Sequence, residues 1–172
     1  MKEDYMSTLL RMMLGVSIVF GLTGQVQASV VAEEAVRDRG MTTAHALAAA
    51  QALYEQGINL RMQGKLRESF EVTKQAADAE WPMAQYAVGG MYLGGIGTDI
   101  DVELAFDYYE MCRNTIAAAC NQMGAIYEGI FPQAEDYENN AKALECYEEA
   151  ARLGLPAGRD NAKRLREALG IS

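Results

Sequence analysis

From residue 44 on, apolar positions recur with helical spacing and are interrupted at short intervals by glycine and proline. Ala44 to Met62 is rich in Ala, Leu and Gln, residues of good helix propensity, and Gly64 ends the run. Leu66, Phe70 and Thr73 then form an i, i+4, i+7 stripe, which predicts a second helix. Pro82 opens a third, where its missing N–H costs nothing, and Gly94-Gly-Ile-Gly97 closes it. Asp101 stands as the N-cap of a fourth helix, Val102 to Arg113. Gly129 closes a fifth. The sixth spans Asn139 to Leu153 and stops at Gly154, with Pro156 just beyond; the last runs from Ala157 to Leu169. No segment alternates with period two, so the chain is expected to be all-α.

The helices repeat. Ala84, Gly89, Tyr92 and Gly94 recur 35 residues later as Ala119, Gly124, Tyr127 and Gly129. The segment Ala105 to Cys112 recurs 38 residues later as Ala143 to Ala150, so the second copy has a longer loop. A weaker copy precedes them, with Gly57 in its first helix and Ser69 to Ala77 in its second. A period in the mid-thirties means helix-turn-helix units stacked into a solenoid. The expected fold is a right-handed α-solenoid of antiparallel helix pairs filling 44–172. Its units are about 44–81, 82–116 and 117–155, with a C-terminal cap at 156–170 that carries Arg159, Lys163, Arg164 and Arg166. Gly89 and Gly124 are expected where two helices of one unit approach closely.

The pattern Ala-x4-Gly-x2-Tyr-x-Gly-Gly-x-Gly, followed by Asp-x3-Ala-x2-Tyr-Tyr, is spelled by Ala84 to Tyr109 and largely again from Ala119. It resembles the Sel1-like repeat, a branch of the tetratricopeptide repeat superfamily. The third unit departs from it in a longer acidic loop, Ile130 to Asn139, and the first has Leu60 where the family Tyr would stand. The resemblance covers roughly residues 44–169 and implies a protein- or peptide-binding groove lined by the first helix of each unit. Positions three before, one after and four after the repeat glycine share one helix face. They are Tyr54, Ile58 and Arg61 in the first unit, and Tyr86, Gly90 and Leu93 in the second. The third contributes Asn121, Ala125 and Glu128, and the cap Arg159, Lys163 and Arg166. Tyrosine and arginine are enriched among binding hot spots, and a segment with apolar and acidic groups would suit such a face.

The N-terminus differs from the rest. Arg11 precedes an apolar run, Met12 to Leu22, about the length of a secretory h-region and short for a membrane span of roughly 20 residues. Val26-Gln27-Ala28 before Ser29 fits a small-x-small cleavage site. Residues 1–28 are therefore expected to be a signal peptide and 29–43 a linker, which makes the mature protein periplasmic or secreted, with no membrane contact. An uncleaved anchor is the alternative. Export permits disulfides. Cys112 and Cys120 form Cys-x7-Cys across a unit junction, and the resemblance to exported cysteine-containing bacterial relatives implies a bridge there. Two buried reduced thiols are the other reading. Cys146 has no partner in the pattern; it is either a buried thiol or a link in a disulfide dimer of an otherwise monomeric protein.

The net charge of −9 argues against nucleic acid as a partner. One His, His45, gives no zinc set and no Ser-His-Asp triad, and no cofactor is implied. Phosphate-loop and Gly-x-Gly-x-x-Gly motifs are missing. The enzyme alternative is a penicillin-binding or β-lactamase-like activity, described for cysteine-rich relatives. The chain lacks the Ser-x-x-Lys nucleophile motif such enzymes use. The expected function is an exported interaction module: adaptor, scaffold or inhibitor.

Overall fold

The computed structural model describes residues 24–131, 133–134 and 138–171, with side chains from residue 43 onward. Among the described residues there are seven helices and no strand: α1 (Gly24–Met62), α2 (Leu66–Asp78), α3 (Pro82–Gly94), α4 (Val102–Cys112), α5 (Ala117–Tyr127), α6 (Asn140–Arg152) and α7 (Pro156–Leu169). The chain divides into two compact units, Met1–His45 and Ala46–Ser172. Of the first, the described part is helical from Gly24, so the stretch 29–43 expected as a linker is helix. Ala28 and Ser29 lie in it; the apolar run Met12 to Leu22 and the acidic Glu135 and Asp136 lie outside the described residues. The second unit is an all-α stack in which consecutive helices pack as antiparallel hairpins, an α-solenoid.

Local chemistry sets the helix ends. Asp101 caps α4, its carboxylate accepting from the Leu104 N–H at 2.9 Å, and Asn139 caps α6 by accepting from the Lys142 N–H at 3.0 Å. Pro82 and Pro156 occupy the first turns of α3 and α7. The loop after α3 folds back on the start of α2. A side chain at Gly97, which has φ +77°, would fall 2.1 Å from the Leu66 carbonyl oxygen.

The core is built on one contact repeated along the stack. In the second repeat Gly89 of α3 lets Tyr109 of α4 lie flat against the helix: a Cβ there would fall 2.7 Å from the Tyr109 ring. In the third, Gly124 of α5 seats Tyr147 of α6, and a Cβ there would again fall 2.7 Å from the ring. Both tyrosines are fully buried. The first repeat uses the same glycine with a smaller partner. Thr73 stands over Gly57, and the Ser69 hydroxyl donates to the Gly57 carbonyl at 2.8 Å. Phe70 of the first unit meets Tyr92 of the second edge-on, ring centroids 5.2 Å apart; Tyr92 stacks on Tyr108 within the second unit at 5.8 Å, and Phe106 meets Tyr127 of the third at 5.2 Å. Such pairs contribute beyond the area they bury.

Neighbouring glycines should therefore respond in opposite directions. Gly89→Ala and Gly124→Ala force a methyl into a fixed ring and should cost about 1–3 kcal/mol. Gly90→Ala meets one atom, at 3.6 Å, and should be neutral or stabilising by up to about 1 kcal/mol. Urea unfolding of the three variants checks this; equal effects at 89 and 90 would contradict the seat.

Candidate partner-binding face

The first helix of each unit presents its expected face unevenly. On α1, Tyr54 is half-buried against the core while Ile58 and Arg61 are exposed. On α3, Tyr86 is half-buried and tilted over Tyr109, ring centroids 5.7 Å apart, and Gly90 is half-exposed beside it. Met62 and Met83, one turn from Ile58 and Tyr86, are exposed as well. Leu93 and Ala125, by contrast, are buried in the stack.

Further along, the expected face is consumed by contacts within the chain. Asn121 accepts from the Asn161 side chain at 2.9 Å. Glu128 receives both guanidinium nitrogens of Arg164 at 2.6 Å and the Tyr147 hydroxyl at 2.8 Å. The Arg164 guanidinium and the Tyr147 hydroxyl hold the Glu128 carboxyl below its ordinary range against the opposing effect of burial. Arg166 turns to Glu148 of α6 and leaves the groove. Arg159 and Lys163 stay exposed, with Glu167 3.9 Å from Lys163. Leu93, Glu128 and Arg166 are thus misplaced as open groove residues. Wheel arithmetic puts position +4 on the first-helix face, but the stack covers Leu93, the next helix takes up Glu128, and Arg166, still 43% exposed, is paired with Glu148. Arg164, Asn161 and Tyr147 were missed because their role appears only once units are docked.

Repeat correspondence exposes a difference between the second and third units. Tyr147 matches Tyr109, and Glu128 matches Leu93. The Tyr147 hydroxyl has an acceptor at that position; the Tyr109 hydroxyl is buried and forms no hydrogen bond. Burial pushes the Tyr109 phenol well up, and the nearby Gln122 carboxamide opposes that shift without closing a hydrogen bond.

The three cysteines are all free and buried. The bridge expected between Cys112 and Cys120 is not formed here. The Cys112 thiol donates to the Tyr108 carbonyl and the Cys120 thiol to the Arg113 carbonyl, each at 3.4 Å. Both sulfurs are thereby turned onto backbone carbonyls at the C-terminal end of α4. Burial pushes the Cys112 and Cys146 thiols to about 11. Cys146 is a core residue, which leaves it no surface position from which to link two chains. Among the described residues no group of three or more His, Cys, Asp or Glu side chains is placed to hold a metal. Among the same described residues no helix is long and apolar enough to cross a membrane.

Residues 82–111 and 117–155 match the family model of the Sel1 repeat. The chain carries Sel1 repeats. The two matched Sel1 units are those with the tyrosine seats, α3/α4 and α5/α6. Among solved structures the fold is similar to a Sel1 repeat protein from Oxalobacter formigenes, at 21% identity and a TM-score of 0.60, over 72% of this chain and 51% of that one. At that identity the likeness shows the shared fold, and the chain spans about half the length of that relative. No curated protein matches.

Buried thiols with raised pKa values should resist alkylation in the folded protein at mildly alkaline pH. Once the protein is unfolded without reductant, all three should label, as peptide mapping would show. Labelling of Cys146 alone would establish the Cys112–Cys120 bridge instead.

Proposed function

We propose that this Sel1-repeat chain is an exported protein-interaction module that takes a protein or peptide partner on the first-helix face of its first two units. The observation that carries this reading is the surface itself. Tyr54, Ile58 and Met62 lie along one side of α1, and Met83, Tyr86 and Gly90 along one side of α3. Ile58 and Met83 are each 42% exposed and Met62 is 81% exposed, with Arg61 alongside. Apolar side chains grouped beside a cation and rimmed by polar residues mark interaction surfaces. The third unit and cap lend less, since Asn121, Glu128 and Arg166 are engaged within the chain. Sel1 units serve other proteins as interaction modules rather than catalysts, which supports the same reading. Export rests on the h-region Met12 to Leu22 and the small residues before Ser29.

The test uses protein made in its own host. Intact mass should show a chain beginning at Ser29; retention of Met12 to Leu22 would replace export with an anchor. Quantitative capture from the cell envelope should then fall at least about tenfold with Ile58→Asp and Arg61→Glu together. Circular dichroism should be unchanged, because both side chains are exposed. A control pair on α4, Glu103→Ala and Asp107→Ala, should capture normally. Equal capture by all three forms would remove the face from consideration.

A further inference from the structure

The second and third repeats carry the same tyrosine on the same seat, but only one of the two hydroxyls has a partner. In the third repeat Tyr147 donates to the Glu128 carboxylate, and Arg164 neutralises that carboxylate from the next helix. In the second repeat every position of this arrangement except the tyrosine has changed. Leu93 stands for Glu128, and the buried Ile126 stands for Arg164. Ala125 at the position beside the seat becomes Gly90. A native protein seldom leaves a buried hydroxyl unpaired, because the lost hydrogen bond with water is not repaid.

The direction of the hydroxyl matters as much as its isolation. Where a Gly90 Cβ would stand, the Tyr109 hydroxyl oxygen is 3.6 Å away, and no other heavy atom outside the glycine's own surroundings comes within 4 Å. The hydroxyl oxygen therefore lies beside a notch that the missing side chain leaves in the half-exposed face, closed off from solvent by the atoms around it. Tyr86 forms one side of the notch and the half-buried Gln122 stands near the hydroxyl.

The notch selects among acceptors. A carboxylate is held in the third repeat only with the help of Arg164. With Ile126 in that place, a carboxylate in the second repeat would lie without a counter-charge in a protein of net charge −9. A neutral carbonyl brings no such cost. A primary carboxamide also carries an N–H on the same edge as its carbonyl, which the Gln122 side-chain oxygen can accept. We infer that the Gly90 notch is an anchor for a side-chain carboxamide of the bound partner, whose carbonyl accepts from the Tyr109 hydroxyl once Gln122 turns aside, uncovering that hydroxyl and receiving the carboxamide N–H. This rests on the first-helix face being the binding face. It adds the chemical class of the group bound there: an extended segment presenting an Asn or Gln side chain beside an apolar residue that covers Tyr86.

The experiment uses the full mature chain, labelled with ¹⁵N, and a capped peptide of alternating leucine and glutamine as probe. Saturable shifts are expected at the Gly90 amide and the Gln122 side-chain NH₂. Tyr109→Phe keeps the ring on its seat and removes the donor; Gly90→Ala fills the notch without disturbing the helix. Each should weaken binding at least about tenfold, and the matched leucine–glutamate peptide should bind the unaltered protein correspondingly less well. Shifts that persist undiminished in both variants would overturn the anchor, as would a glutamate peptide that binds as tightly, or a Gly90 resonance that does not move. The Ile58 and Arg61 variants separate the two readings. If they abolish partner capture while the notch stays silent, the face stands and the anchor falls. If the notch responds but those variants capture normally, the anchor stands and the wider face falls.

Discussion

Each helix pair of this protein closes over a glycine. Gly89 and Gly124 permit the second helix of the unit to lay a tyrosine ring directly on the first, and nothing larger than hydrogen fits between. Interiors are packed densely enough that such a contact sets the spacing of the elements around it. The small residues Ala105 and Ala143, buried on the facing helices, follow from the same close approach. So does the aromatic ladder from Phe70 through Tyr92 to Tyr108, which joins one unit to the next. The first repeat keeps the glycine and exchanges the ring for Thr73 and a hydroxyl bond from Ser69. That substitution trades apolar area for a hydrogen bond, and it is why this repeat departs most from the pattern.

Shared geometry leaves room for divergent chemistry. At the C-terminal end the polar face of α7 meets α5 through Asn161 to Asn121 and Arg164 to Glu128. Within the stack the corresponding contacts are Tyr86 with its neighbours and the buried Ile126. A solenoid needs such a polar terminal unit to remain soluble. Ending the stack engages Asn121, Glu128, Arg164 and Arg166 while Arg159 and Lys163 stay exposed, which leaves the first two units as the open apolar part of the face.

How much was legible beforehand follows from which interactions are periodic. Helix pairs, the cap at Asp101 and the glycine seats all repeat or obey local rules, and the sequence displays them. That α1 already includes residues 29–43 was not legible, because that stretch is charged and shows no apolar stripe at helical spacing. Leu93, Glu128 and Arg166 were assigned to the groove on helical spacing alone. Their true surroundings depend on the next helix, which a wheel does not contain. The pairing of Glu128 with both Tyr147 and Arg164 joins positions 19 and 36 residues apart, a distance no local pattern reports. The thiols illustrate a different limit: Cys-x7-Cys shows that two sulfurs flank one junction, and not which way each sulfur turns.

The most direct test of this account compares two conservative substitutions at the two seats. Tyr147→Phe leaves the Glu128 carboxylate short of a buried donor and should lower unfolding free energy by about 1–3 kcal/mol. Tyr109→Phe removes a hydroxyl that has no partner in the unbound protein, and stability should stay level or rise. Both variants keep the ring on its glycine, so chemical denaturation reads the hydroxyl alone. Equal losses at the two positions would contradict the claim that one shared seat carries two different electrostatic environments.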